Sequence, residues 1–163
     1  MSDTQVIALD ISEQETVGAA VALMVVACPF LPSGVVTRYE DMEGLPYSVG
    51  VFPQSGSVYV KQFVSGSLIG QYTFQLLYRL PGGADDDGRV GAEHLLDCIA
   101  QWLEAAEATY GGETYQMGGY PALSGGRTVQ SIERTSAPVL LGQREDGSLD
   151  YSIFLQLRYF KKA

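Results

Sequence analysis

The stretch Gln71–Leu80 constrains this chain more than any other. Tyr72, Phe74, Leu76, Tyr78 and Leu80 fall on one side of an extended backbone, and Gln71, Thr73, Gln75 and Arg79 on the other. A period of two marks a half-buried strand; Leu77 alone breaks the polar side. Upstream, Val58, Val60 and Val64 alternate with Tyr59, Lys61 and Phe63, and Ser65-Gly66-Ser67 supplies a turn. The two runs are therefore expected to form an antiparallel hairpin. Downstream, Pro81-Gly82-Gly83 ends the strand, and Asp85, Asp86 and Asp87 stand before a helix whose N-terminal dipole favours negative charge.

That helix is expected from about Arg89 to Ala108. Leu95, Leu96, Ile99, Trp102, Leu103 and Ala106 form its apolar stripe, with Glu93, Asp97, Gln101, Glu104 and Glu107 elsewhere. The stripe is too apolar for water, so the helix is expected to lie across the sheet that the hairpin begins. A second, N-terminal helix is signalled by Ser12-Glu13-Gln14-Glu15, which fits a capping box. Val17, Ala20, Val21, Met24, Val25 and Cys28 follow at helical spacing, and Pro29 ends the run. Val6–Ile11 either extends this helix or forms a short strand; helix is favoured because no turn signal separates the two. Pro32 to Pro53 is expected to be a connection with one short strand, Tyr47–Phe52, and a solvated or partner-facing acidic loop from Arg38 to Gly44.

The C-terminal part continues in strands. Thr128–Arg134 and Val139–Arg144 are expected strands, Asp146-Gly147 is a hairpin turn signal, and Asp150–Phe160 repeats the rhythm of Gln71–Leu80 through Tyr151, Ile153, Leu155, Leu157 and Tyr159. The two alternating strands are expected to be sheet neighbours. Between helix and strands, Gly111 to Arg127 carries three Gly-Gly pairs with Tyr115, Met117, Tyr120 and Leu123 among them. A loop of this length is usually functional or disordered; its apolar residues favour a contact arm that orders on assembly and adds little to the core. The fold class that follows is α+β, an antiparallel-rich sheet packed by two helices. Its 163 residues form one domain spanning 1–163, a size that buries roughly two-thirds of the unfolded surface.

Charge and chemistry narrow the function. A net charge of −9 disfavours broad binding to a phosphate backbone, which requires Lys and Arg, yet lets DNA pass without sticking. Cys28 and Cys98 show no framework spacing, as expected of a reduced, cytosolic chain. Val17–Leu31 is apolar but interrupted by Pro29 and shorter than the ~20 residues a bilayer span needs, so no membrane role is expected. His94 and Cys98 share a helix face, a spacing that can activate a thiolate. They lie at the margin of the apolar stripe, however, and only Asp97 is at hand as an orienting group. One His and two distant Cys do not supply a zinc site, and the Arg38–Gly44 loop lacks the register of a calcium loop. The turn Gly82 to Gly88 carries carboxylates where a phosphate would sit, and no Gly-x-Ser-x-Gly elbow occurs. No enzyme activity, metal or cofactor is expected.

Several segments together resemble a known family. They are Gly70-Gln71-Tyr72-Thr73-Phe74-Gln75-Leu76-Leu77-Tyr78-Arg79, Ala92-Glu93-His94-Leu95-Leu96-Asp97, Tyr120-Pro121-Ala122-Leu123 and Gln130-Ser131-Ile132-Glu133. To these is added Gly147-Ser148-Leu149-Asp150-Tyr151-Ser152-Ile153, running into Leu157-Arg158-Tyr159. With the element order, they resemble the minor capsid and tail-terminator proteins of long-tailed bacteriophages and prophages, especially those of Gram-positive hosts; the first third matches less clearly. The resemblance implies a tail-terminator-like fold and a virion protein assembled in the host cytoplasm. Such a protein forms a homohexameric ring at the head-proximal end of the tail tube, touching the tube protein and the head connector while DNA passes unbound. The alternatives are a head-completion or neck protein, and a small hydrolase or transferase using His94 and Cys98. Loop composition nominates Glu40, Asp41 and Met42, Asp85, Asp86 and Asp87, and Tyr115, Met117 and Tyr120 as interface residues.

Overall fold

Alternation decides the frame, because two strands that each offer one continuous apolar face gain most by lying side by side. A computed structural model of the chain describes residues 11–31, 36–39, 48–54 and 58–163. Its elements in order are α1 (Ile11–Val26), β1 (Val36–Tyr39), β2 (Ser48–Pro53), β3 (Tyr59–Gln62), β4 (Leu68–Leu80) and α2 (Asp86–Ala105). They continue with β5 (Glu107–Tyr110), β6 (Glu113–Gln116), β7 (Arg127–Arg134), β8 (Val139–Gln143) and β9 (Leu149–Lys161). β4 and β9 pair antiparallel along their whole length, from Leu68↔Lys161 to Leu80↔Leu149. Tyr72, Phe74, Leu76 and Tyr78 thereby meet Leu157, Leu155, Ile153 and Tyr151, all buried, and each such side chain contributes about 1.5–3 kcal/mol of burial.

Short strands flank this pair. On the β4 side, β3 pairs near the Leu68 end and β2 near the Leu80 end, with β1 parallel to β2 beyond it. On the β9 side, β7 pairs near Lys161 and β8 near Leu149. The result is a seven-stranded, mostly antiparallel sheet among the described residues, with β5 and β6 as a separate two-stranded ribbon. Both helices cover one face. α2 packs on β4, β7 and β9, and α1 on β2, β4 and α2. Val17, Val21, Met24 and Val25 of α1 and Leu95, Leu96, Ile99, Trp102 and Leu103 of α2 complete one core cluster. The fold is thus α+β, an antiparallel-rich sheet packed by two helices, with the expected hairpins β3–β4 and β8–β9 in place. No helix among the described residues is long and apolar enough to cross a membrane.

Several boundaries differ from expectation, for local reasons. Ile11 is already helical, so Ser12 lies inside α1 rather than capping it; residues 6–10 lie outside the described residues. α2 begins three residues earlier than expected. The Asp85 side chain accepts a bond from the Gly88 amide at 2.9 Å, and Asp86 and Asp87 occupy the first turn; Gly88 and Gly91 are carried inside the helix rather than breaking it. At the other end Ala106 turns left-handed (φ 55°), and Glu107–Tyr110 continues as β5, burying Ala108. The connection before β2 holds a second short strand, β1, whose four residues carry no readable alternation. The Gly-rich arm is also more embedded than expected. It contains β6, and Leu123 and Arg127 are buried.

Candidate assembly surfaces

The expected interface residues fall into three separate places. Glu40, Asp41 and Met42 lie outside the described residues. Asp85, Asp86 and Asp87 are exposed at the start of α2, beside the β8–β9 turn: a side chain added at Gly82 would press on the backbone of Asp146 and Gly147. Tyr115, Met117 and Tyr120 are half-buried against the core. Tyr115 donates to Glu113 at 3.0 Å and packs on Phe30 with ring centres 5.5 Å apart. The Tyr120 hydroxyl is held by the Leu103 carbonyl at 2.6 Å and by that of Glu104, so it caps carbonyls that the end of α2 leaves without helical donors.

Met117 leads to a groove between the arm and α1. The hollow, about 450 Å³, is lined by Ala20, Leu23, Met24, Met117, Pro121 and Leu123 among others. The apolar character of α1 runs right round it, which suits a helix enclosed on all sides; here Leu23 and Val26 are 69% and 57% exposed.

A second apolar surface lies on β8. Every residue of this strand is exposed, and Val139, Leu140 and Leu141 stand at 47%, 46% and 56%. β8 pairs only with β9 among the described strands, so no described strand lies along its outer backbone edge. Sequence reasoning left β8 out of the interface. The available signal was three consecutive aliphatic residues, Val139–Leu141, with no polar residue between them.

The helix-free face of the sheet carries polar pairs among Leu77, Phe154 and Phe160. Gln156 donates to Gln71 at 3.0 Å, and Arg79 binds the Asp150 carboxylate through two bonds of 2.8 and 3.2 Å. Arg79 is almost fully buried, and a forked guanidinium–carboxylate pair is what makes a charge tolerable there. On the opposite face Arg134 reaches from β7 to α2, where its Nε donates to Glu104 at 2.6 Å and a terminal nitrogen pairs with Asp97.

His94 and Cys98 do meet, with Sγ 3.7 Å from Nε2. Two features bear on the reactivity of the thiol. Burial, reinforced by the negative charge of Asp97, pushes the Cys98 thiol up, and the Thr109 carbonyl lies 3.5 Å away as an acceptor for it. The imidazole stacks on Tyr110 at 5.4 Å. No group of three or more His, Cys, Asp or Glu among the described residues is placed to hold a metal ion. No protein-family model matches this chain, and no curated protein matches its sequence.

Proposed function

We propose that this chain is a structural virion protein of a long-tailed phage or prophage, a tail terminator that closes the head-proximal end of the tail tube as a ring and meets the head connector there. The observation that carries the reading is β8. An open, apolar edge strand invites pairing with another chain, and proteins that stay alone blunt such edges with charge, proline or a covering element. Along Val139–Leu141 β8 carries no charge, and its only guards are Pro138 just before it and an irregularity between Leu140 and Gly142. A protein whose work is to join copies and neighbours has a use for such an edge. The family resemblance of the sequence supplies the identity of the assembly, and the burial of Cys98, which raises its thiol, weighs against the Cys/His enzyme.

Electron microscopy of the protein mixed with purified tail tubes tests the role. Added density on one end of each tube is expected, unchanged for the His94→Ala and Cys98→Ala variants. Bare tube ends at saturating protein would refute it.

A further inference from the structure

The two ends of the β4–β9 pair differ in charge. Thirteen paired residues place the ends about 40 Å apart at the usual rise per residue. At the Leu68/Lys161 end the chain gathers Lys61, Arg158, Lys161 and Lys162, with Arg127 buried behind them. The β3–β4 turn projects there, carrying Phe63 and a fully exposed Val64 past Gly66 (φ 94°). Lys61 lies over the Phe63 ring at 5.0 Å, and Phe63 leans towards Phe160. This end is basic, apolar and protruding.

The Leu80/Leu149 end is its converse. Asp85, Asp86 and Asp87 stand on the α2 first turn, with Glu145 and Asp146 on the abutting β8–β9 turn. Asp150 is taken up by Arg79 and Arg144, and Arg89 and Glu93 follow on the next turn of α2. Hydrogen bonds from Ser148 hold the Asp146 carboxyl below its ordinary range, with help from the charge of Arg144. Gln143, Arg144, Glu145 and Asp146 line a hollow of about 520 Å³, and the apolar β8 strand runs into it.

We propose that the acidic end of one copy receives the basic end of the next: the β3–β4 turn, with Lys61 and Lys162 beside it, seats in the hollow at the β8–β9 turn. Charge complementarity names the occupant, because a chain with net charge −9 repels its own copies everywhere except where opposite ends meet. The contact joins different surfaces and is heterologous, the kind that closes into a ring when its rotation permits. It rests on the assembly role proposed above and specifies which surfaces meet.

A charge swap tests it. Lys61→Glu with Lys162→Glu cancels the positive charge of the basic end, and Asp86→Lys with Glu145→Lys removes most of the negative charge of the acidic end. Sedimentation velocity should show wild-type protein associating with rising concentration, each double variant weakened by about tenfold or more, and their equimolar mixture restored. Circular dichroism confirms folding, and the milder Lys61→Gln with Lys162→Gln variant, expected to fall between, serves should a reversal unfold the chain. A wild type that stays monomeric at the highest attainable concentration overturns the contact, as does a variant that associates normally or a mixture that does not recover. Failure of tail tubes to be capped, with the swap behaving as described, refutes the virion role and leaves the contact standing.

Discussion

Gly70 and Tyr159 lie directly opposite one another on β4 and β9. The ring of Tyr159, fully buried, lies over the glycine in the space that a Cβ would occupy, an aromatic covering of a strand glycine. Because that ring is enclosed, it cannot swing clear. Gly70→Ala is therefore expected to cost about 1–3 kcal/mol through overpacking, seen as a lower urea midpoint at unchanged slope. Gly142→Ala supplies the contrast. No atom lies within 4 Å of a Cβ there, and the change should stay within about 0.5 kcal/mol. The cysteines give a second residue-scale test. Burial pushes the Cys28 thiol up to about 12 from 9.0, and Cys98 is also raised. A thiol raised in the folded state leaves stability intact below 9.0 and erodes it as pH climbs towards 12, because the unfolded chain ionises first. Iodoacetamide at pH 8, read by mass spectrometry, should label neither thiol until denaturant is added. Rapid native labelling of Cys98 would reopen the nucleophile reading.

At the scale of elements, the ends of α2 show what can be read from sequence and what cannot. Its start was signalled by Asp85–Asp87, because the preference for carboxylates at a helix N-terminus is local, although the expected start near Arg89 fell three residues late. Its end was not. The chain turns at Ala106, a left-handed position usually given to glycine, and the carbonyls left behind are met by Tyr120, sixteen residues on from Glu104. No window centred on the helix contains that partner. Ala106→Gly is expected to stabilise the chain by about 1 kcal/mol, by relieving the Cβ of its left-handed crowding, and Tyr120→Phe to cost about 1 kcal/mol; thermal melts check both. Long strands were legible because thirteen residues sustain an alternation. The four-residue β1, β5 and β6 have too few residues for a period to emerge and are set by what they pack against. β8 was legible as a strand, yet its role as an exposed edge depended on where β7 stops along β9, a tertiary fact.

The whole molecule is held by one core that reaches into its least regular part. The alternating strands foretold the β4–β9 spine, and the helical stripes foretold which face is covered. The arm is where the sequence was ambiguous, since apolar residues among glycines suit either an ordering loop or a wrapped extension of the core. The structure places Leu123 in the core cluster, pairs it with Arg127, and sets Tyr120 on the end of α2. The arm thus folds with the rest, and its outer side still offers the groove against α1. Tyr120→Ala with Leu123→Ala removes the cap and a buried aliphatic together. The pair should cost about 4 kcal/mol, the two sites being close enough for the sum to be approximate. For a chain of this size that lowers Tm by roughly 10 °C, and calorimetry should retain a single transition because arm and sheet share one core. An unchanged Tm would put the arm outside the cooperative unit and return it to the class of segments that order only on assembly. A new low-temperature transition would instead divide the chain at β5–β6, with the β4–β9 spine melting alone afterwards.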